Sequence, residues 1–185
     1  RDSSTSRGLG DVYKRQSMNR AIYLANVLGV DMGMYYKRLD YSRYVNGRHP
    51  IAAYEFLGPK IEGKDMILID DMISSGDTII KIASLLKEKG AGRVYICSTF
   101  GFFTDGLDKF DDAYKKGYFD KLLTTNLVYQ SPELLEKPYY ISCDMSKYIA
   151  LIIDTLNHDT SVSHLLNPVD RIKRCVTNYM SQHEK

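Results

Sequence analysis

Two adjacent carboxylates, Asp70 and Asp71, stand just ahead of a run of small and hydroxyl-bearing residues, Ser74-Ser75-Gly76-Asp77-Thr78. Neighbouring acids of this kind accept charge-assisted hydrogen bonds from sugar hydroxyls. A turn of small residues aims several backbone N–H groups at one point, and a helix opening behind it adds positive potential there. A phosphate fits that point. The combination describes a pocket for a phosphorylated sugar. The plainer alternative is a polar turn with a helix cap, which favours the same residue types. The complete order of strand, acid, acid, small loop and helix favours the ligand. Asp77 is the awkward member, because its charge has the sign of a phosphate; the reading expects it to cap the helix with only its backbone facing the ligand.

For these residues to converge, Met66 to Ile69 must be a strand and Ile79 onward a helix. Met66-Ile67-Leu68-Ile69 is an uninterrupted apolar run, the pattern of a strand buried on both faces of a parallel sheet. Ligands of open α/β sheets bind where such strands end. Ile79, Ile82, Ala83 and Leu86 recur at helical spacing, and Ile80 and Leu85 widen the apolar face. Lys87 and Lys89 fall in the last turn, and Gly90 is a stop signal.

Elsewhere, Met18 to Leu28 reads as a helix ended by Gly29, and Val30 to Tyr36 as the first strand. Arg93 to Thr99 reads as a buried strand followed by a Phe100-Gly101 turn. Phe102 to Gly117 begins as loop and becomes a helix with Leu107, Phe110, Ala113 and Tyr114 inward. Lys121 to Thr125 is a short strand whose end, Thr124-Thr125-Asn126, lies on the ligand edge. Tyr139 to Cys143 is the last strand, and Asp144 or Ser146 caps a helix through about Asn157. Asp170 to His183 is a further amphipathic helix carrying Ile172, Val176, Tyr179 and Met180. The fold class is α/β: an open, mainly parallel sheet with helices on both faces and a long β-rich lid loop after the first strand.

That lid is Lys37 to Lys60, with five basic residues (Lys37, Arg38, Arg43, Arg48, Lys60) against two acids, Asp40 and Glu55. Asn46-Gly47 marks a turn, and Val45 and Ile51 to Phe56 are placed to pair across it. A cationic lid over a phosphate pocket screens transferring phosphoryl groups and excludes water. A solvated hairpin explains the same residues equally well. Tyr35, Tyr36, Tyr41, Tyr44 and Tyr54 surround the lid and read as packing aromatics, since no basic stripe accompanies them.

Net charge is only +2, with 44% hydrophobic and 26% charged residues in 185, which gives no footprint for nucleic acid or a membrane surface. No apolar run approaches the ~20 residues of a membrane span. Cys97, Cys143 and Cys175 form no CxxC pair, which suits a reducing cytoplasm, and Cys97 and Cys143 read as buried strand residues. His49, His158, His164 and His183 lack metal-ligand spacing, so no metal is assigned to this chain. Residues 1–16, without apolar periodicity, are set apart as an adaptor-like or basic tail. Residues 17–168 read as one domain and residues 169–185 as a helical extension.

The Met66–Thr78 pattern resembles the phosphoribosyl-diphosphate (PRPP) motif of the phosphoribosyltransferase fold. With YYKRLDYS at Tyr35 to Ser42, KLLTTN at Lys121 to Asn126 and SVSHLL at Ser161 to Leu166, the resemblance narrows to the ribose-phosphate diphosphokinase (PRPP synthetase) family. It runs from about Met18 to Pro168 and covers the C-terminal half of the family's usual chain. It implies transfer of diphosphate from ATP, with Mg2+, to ribose 5-phosphate, forming PRPP for nucleotide synthesis. Ser74, Ser75, Gly76, Asp77 and Thr78 would hold the 5-phosphate, Asp70 and Asp71 the ribose hydroxyls, and Lys37, helped by Arg38, the moving phosphates. The family carries Lys-Arg-Arg at the start of the lid; Leu39 stands where the second arginine is expected. Either Arg38 or Arg43 replaces it, or this copy is impaired, or the residue is a sequence error.

The resemblance puts most ATP-binding residues and the metal ligands in the other half, so the fragment is expected to bind ribose 5-phosphate or PRPP weakly and to make no PRPP. It further implies a cytoplasmic homo-oligomer, a dimer-based hexamer at full length. Competing readings are a phosphoribosyltransferase that consumes PRPP, for which no base-recognition hood is evident, and a noncatalytic regulatory subunit. A signalling receiver would need further acid and lysine positions that the sequence lacks.

Overall fold

A computed structural model describes residues 21–39, 42, 44 and 51–183. The extension at 1–16, Arg43 and the Asn46-Gly47 turn lie outside the described residues. The chain divides into two compact units, residues 32–143 and a second unit that includes residues 144–185 and the N-terminal segment to Asp31.

The larger unit holds two sheets. Strands β1 (Met34–Leu39) and β2 (Ile51–Leu57) form an antiparallel pair, with Lys37 opposite Tyr54 and a bulge where Arg38 faces Ala53 but Leu39 faces Ile51. The first strand therefore starts later than its apolar pattern suggests. Gly33 marks the reason: a Cβ there would lie 2.5 Å from the Phe56 ring, so the chain passes too close for a side chain before the ladder begins. Strand β2 pairs with β1, and Val45 lies outside the described residues. Tyr35 packs on Phe56 with ring centroids 5.1 Å apart, whereas Tyr44 is 71% exposed, so the packing role holds for Tyr35 and not for Tyr44.

Strands β3 (Met66–Ile73), β4 (Val94–Gly101), β5 (Lys121–Thr125) and β6 (Tyr140–Cys143) form a parallel sheet in that order. The helices α2 (Asp77–Glu88), α3 (Asp108–Lys115) and the single turn α4 (Pro132–Leu135) connect them. Leu68, Ile96, Leu122 and Tyr140 share one row of the sheet, and the last three are buried with Ala83, Leu86, Phe110 and Phe119 in the core. The next row, Ile69, Cys97, Leu123 and Ile141, points to the other face. There Ile67 is 55% exposed and Ile69 43%, so β3 is not the doubly buried strand its run of apolar residues implies. The physical reason is connectivity: a sheet whose strands follow sequence order, joined by right-handed crossovers, puts every crossover helix on one face.

Helix α3 is shorter than the 102–117 segment because Phe103 at φ 48° and Gly106 at φ 79° turn the chain before it. Leu107, Phe110 and Ala113 face inward and Tyr114 is half-buried.

In the second unit, helical residues 21–28 (α1) end at Gly29, which adopts φ 66°. Helices α5 (Ser146–Asn157), α6 (Ser163–Leu166) and α7 (Val169–His183) follow. The capping position of α5 is Met145, with no side-chain cap, while Asp144 accepts the Ser146 N–H at 2.9 Å. Tyr148 donates to the Leu165 carbonyl at 2.8 Å and lies under the Arg171 guanidinium.

Candidate functional site

Strand β3 delivers Asp70 in the same row as Ser98, Thr124 and Ser142, and Asp71 follows it toward the carboxyl end of the strand. Both acids are half-buried. One Asp70 oxygen accepts the Asp71 N–H at 2.8 Å, which fixes the first carboxylate against its own backbone. Beyond Asp71 the alternation of burial changes phase, with Met72 exposed and Ile73 buried. The strand then gives way to the Ser74–Gly76 turn.

Gly76 is the capping position of α2, at φ 85° and with no side-chain cap. Asp77 is thus the first helical residue and not the cap the sequence reading assigns. The left-handed backbone favours glycine, and so does the space: a Cβ at residue 76 would lie 2.2 Å from Cζ of Phe110, which is fully buried. Ile80 N–H bonds the Gly76 carbonyl at 3.0 Å and begins the helical ladder. The amides ahead of it have no helical carbonyl to reach, and the helix dipole makes that end attractive to an anion.

A second segment, between β4 and α3, is laced to this turn. Phe102 N–H bonds Ile73 O at 2.8 Å and Thr104 N–H bonds Ser74 O at 3.1 Å. Side chains continue the link. Ser74 Oγ and Thr104 Oγ1 are 3.3 Å apart, and Thr104 donates to Asp105 at 3.2 Å, so the shared proton comes from Ser74. Lys109 reaches Asp77 Oδ1 at 2.8 Å and Asp105 Oδ2 at 3.0 Å. Ser75 donates its hydroxyl proton to Asp77 Oδ2 at 2.9 Å. The Lys109 ammonium, seconded by Ser75, holds the Asp77 carboxyl below the usual carboxylate range. Asp77 and then Asp105 push the Lys109 pKa up in return. Both serine hydroxyl protons are therefore committed within the protein, and Ser75 Oγ in turn accepts the Asp77 N–H at 3.5 Å.

The structure thus brings Ser74, Ser75, Gly76 and Asp77 into one constellation just past Ile73, the last residue of the strand that carries Asp70 and Asp71. Arg38 is held on the hairpin by an ion pair to Glu55 at 2.7 Å. Lys37 has its backbone in β1. Thr124 and Thr125 are engaged internally: Thr124 shares a proton with the Tyr140 hydroxyl at 2.5 Å, and Thr125 donates to Thr99 O at 2.6 Å. They stiffen the edge beside the turn. Lys109 was absent from the sequence reading; the i, i+4 charge pair Asp105–Lys109 at the start of a helix was the available signal.

Among the described residues no three His, Cys, Asp or Glu side chains converge to hold a metal. Mg2+ typically takes one or two carboxylates together with substrate phosphates, so these residues alone do not fit a resident ion. A groove of about 660 Å³ lies at the opposite end of the strands, lined by Arg93, Tyr95, Lys115 and Lys121 among others. It is remote from the strand ends where parallel sheets bind ligands. No helix among the described residues is long and apolar enough to cross a membrane.

Residues 50–167 match the family model of the phosphoribosyl synthetase-associated domain. A ribose-phosphate pyrophosphokinase of Shewanella oneidensis is 32% identical over 107 residues, which are 58% of this chain and 33% of that protein. One from Vibrio parahaemolyticus is 30% identical over the same shares, and one from Thermococcus kodakarensis is 30% identical over 60% of this chain and 36% of its own. The crystal structure of phosphoribosylpyrophosphate synthetase from Mycobacterium smegmatis superposes with a TM-score of 0.58 at 23% identity, over 73% of this chain and 40% of that one. The chain spans about a third of the length of these curated relatives. With the family model matched across the whole of β2 to α6, the chain belongs to the phosphoribosyl synthetase-associated domain family, the family of the ribose-phosphate pyrophosphokinases.

Proposed function

We propose that this chain is the ribose 5-phosphate-binding part of a ribose-phosphate pyrophosphokinase. The observation that carries the reading is the left-handed Gly76 opening α2 beyond the strand that carries Asp70 and Asp71, within a chain of this family. The first-turn amides of α2 receive the 5-phosphate, and the Asp70 and Asp71 carboxylates accept hydrogen bonds from the ribose hydroxyls. In the reaction, the anomeric oxygen attacks the β-phosphorus of ATP. The bond from that phosphorus to the bridging oxygen breaks, AMP departs with the oxygen, and the anomeric proton is released. Lys37 and Arg38 neutralise the charge that moves to the bridging oxygen. Mg2+ would supply charge neutralisation of the ATP phosphates when bound.

The resemblance puts most ATP-binding residues in the other half of the family's chain, so on this reading the 185-residue chain binds ribose 5-phosphate weakly, with Kd in roughly the millimolar range, and makes no PRPP. Cytoplasmic location and assembly into dimer-based hexamers at full length belong to the same proposal. The test is titration of the chain with ribose 5-phosphate, watched through the amide resonances of Gly76 to Ile79. Shifts that saturate with ribose 5-phosphate but not with ribose support the reading, and undisturbed amides at high millimolar concentration overturn it. Formation of AMP and PRPP from ATP and ribose 5-phosphate by the isolated chain would overturn the inactivity. Leu39 favours a second reading, a noncatalytic regulatory subunit on this scaffold, because leucine brings neither charge nor donor to the lid.

A further inference from the structure

Lys109 lies on α3, 32 residues beyond Asp77, and has no place in the strand–turn–helix motif. Its ammonium nevertheless touches the motif, bonding Asp77 at 2.8 Å and Asp105 at 3.0 Å. Asp77 is 66% exposed and Lys109 41%. Exposed ion pairs of this kind add little to folding stability, so the pair's main consequence is local electrostatics. Asp77 is the residue that opposes an incoming phosphate. The ion-paired groups beside the turn are Asp77, Asp105 and Lys109, which sum to minus one; without the lysine they sum to minus two. The same lysine also anchors the network that runs from Asp77 to Ser75 and from Asp105 through Thr104 to Ser74.

Resting on the reading of Ser74–Thr78 as a phosphate cradle, we propose that Lys109 is the positioning residue that makes this cradle accept an anion, by holding and neutralising Asp77. It acts through Asp77 and does not itself bind the phosphate. Screening of Asp77 is incomplete at a solvent-exposed site, so the carboxylate still limits affinity for a dianion and Asp77→Asn should bind more tightly than the native chain.

The test uses the 185-residue chain and four forms: native, Lys109→Met, Asp77→Asn, and the double variant. Each is titrated calorimetrically with ribose 5-phosphate, after circular dichroism and urea unfolding have shown an intact fold. Lys109→Met should weaken binding by roughly five- to tenfold at low ionic strength, an effect that shrinks as salt is added. Adding Asp77→Asn to that variant should restore native affinity or better, because the charge that needed compensating is gone. Unchanged affinity in Lys109→Met overturns the proposal while leaving the cradle in place. Weakening that Asp77→Asn fails to rescue also overturns it, since Lys109 would then contact the phosphate directly. If neither the native chain nor Asp77→Asn binds ribose 5-phosphate, the cradle reading itself falls and the proposal with it.

Discussion

The two ends of the parallel sheet carry similar side chains and use them differently. At the amino end the acids tie strands to loops. Asp65 accepts the Arg93 N–H at 2.8 Å and pairs with the same residue's guanidinium, with Nε at 3.0 Å. Asp120 accepts the Val94 N–H at 2.7 Å and meets Lys87 at 3.4 Å, while Lys87 also reaches the Gly92 carbonyl. Each bond joins one strand's entrance to another segment, which is a way of fixing register. At the carboxyl end the acids either fold onto a neighbouring amide, as Asp70 does, or are held by a lysine, as Asp77 is. They stand beside helix amides that lack helical partners. The difference teaches that counting charges does not separate an architectural cluster from a ligand site. What separates them is placement: one set ties the strand entrances together, and the other stands where a helix opens beyond a strand.

The contrast breaks most sharply at Gly76. Gly76→Val drives a branched side chain into Phe110 at a left-handed φ, so unfolding in urea should show a loss of roughly 3 kcal/mol or more, with ribose 5-phosphate binding abolished. An unchanged unfolding midpoint would mean that the turn does not depend on this contact. Converting Asp70 and Asp71 together to Asn should raise the Kd for ribose 5-phosphate by roughly ten- to a hundredfold. Inorganic phosphate, which lacks the hydroxyls, should bind as before. A parallel loss for both ligands would show that the acids serve the turn and not the sugar.

Asp120→Ala should do the reverse at the amino end. It removes the acceptor of a buried strand amide, costing about 1 kcal/mol of stability in urea, and leaves the ribose 5-phosphate titration where it was. The smallest effect is expected at Asp65. Hydrogen bonds from the Arg93 guanidinium, then from its amide, hold the Asp65 carboxyl below its ordinary value of 3.8. A depressed carboxylate stabilises the fold above its unfolded pKa and loses that contribution as pH falls through the folded value. Unfolding midpoints followed from about pH 5 down to about pH 2 should therefore fall less steeply in Asp65→Asn than in the native chain. An identical acid slope would remove Asp65 from the set of architectural acids.

Much of this was legible in the residues because the signals are local. The Met66 start of β3, the bounds of β5 and the inward face of α2 follow from hydrophobic runs and helical spacing. The inward residues of α3 were legible too, although its start was not: the conformation of Phe103 is set by the aromatic packing of its ring against Phe110 at 5.2 Å. Pairings between distant segments left no periodic trace. Lys109 and Asp77 meet across 32 residues, and Ile51–Leu57 chose β1 as its partner. An apolar run also cannot report which face of a strand will be covered, as Ile67 and Ile69 demonstrate. The candidate site was readable as a motif of residue types, but the commitment of both serine protons depends on geometry that composition does not encode.

The ring of Phe110 beneath Gly76 has a consequence for how this chain can change over generations. A side chain at residue 76 is admissible only after the ring has shrunk, and shrinking the ring first opens a void in the core, at a cost of roughly 3–5 kcal/mol. Either order passes through a poorly folded ancestor. Lineages that explore the loop one substitution at a time should therefore inherit glycine and phenylalanine together, and saturation libraries at residue 76 alone should return only the parent.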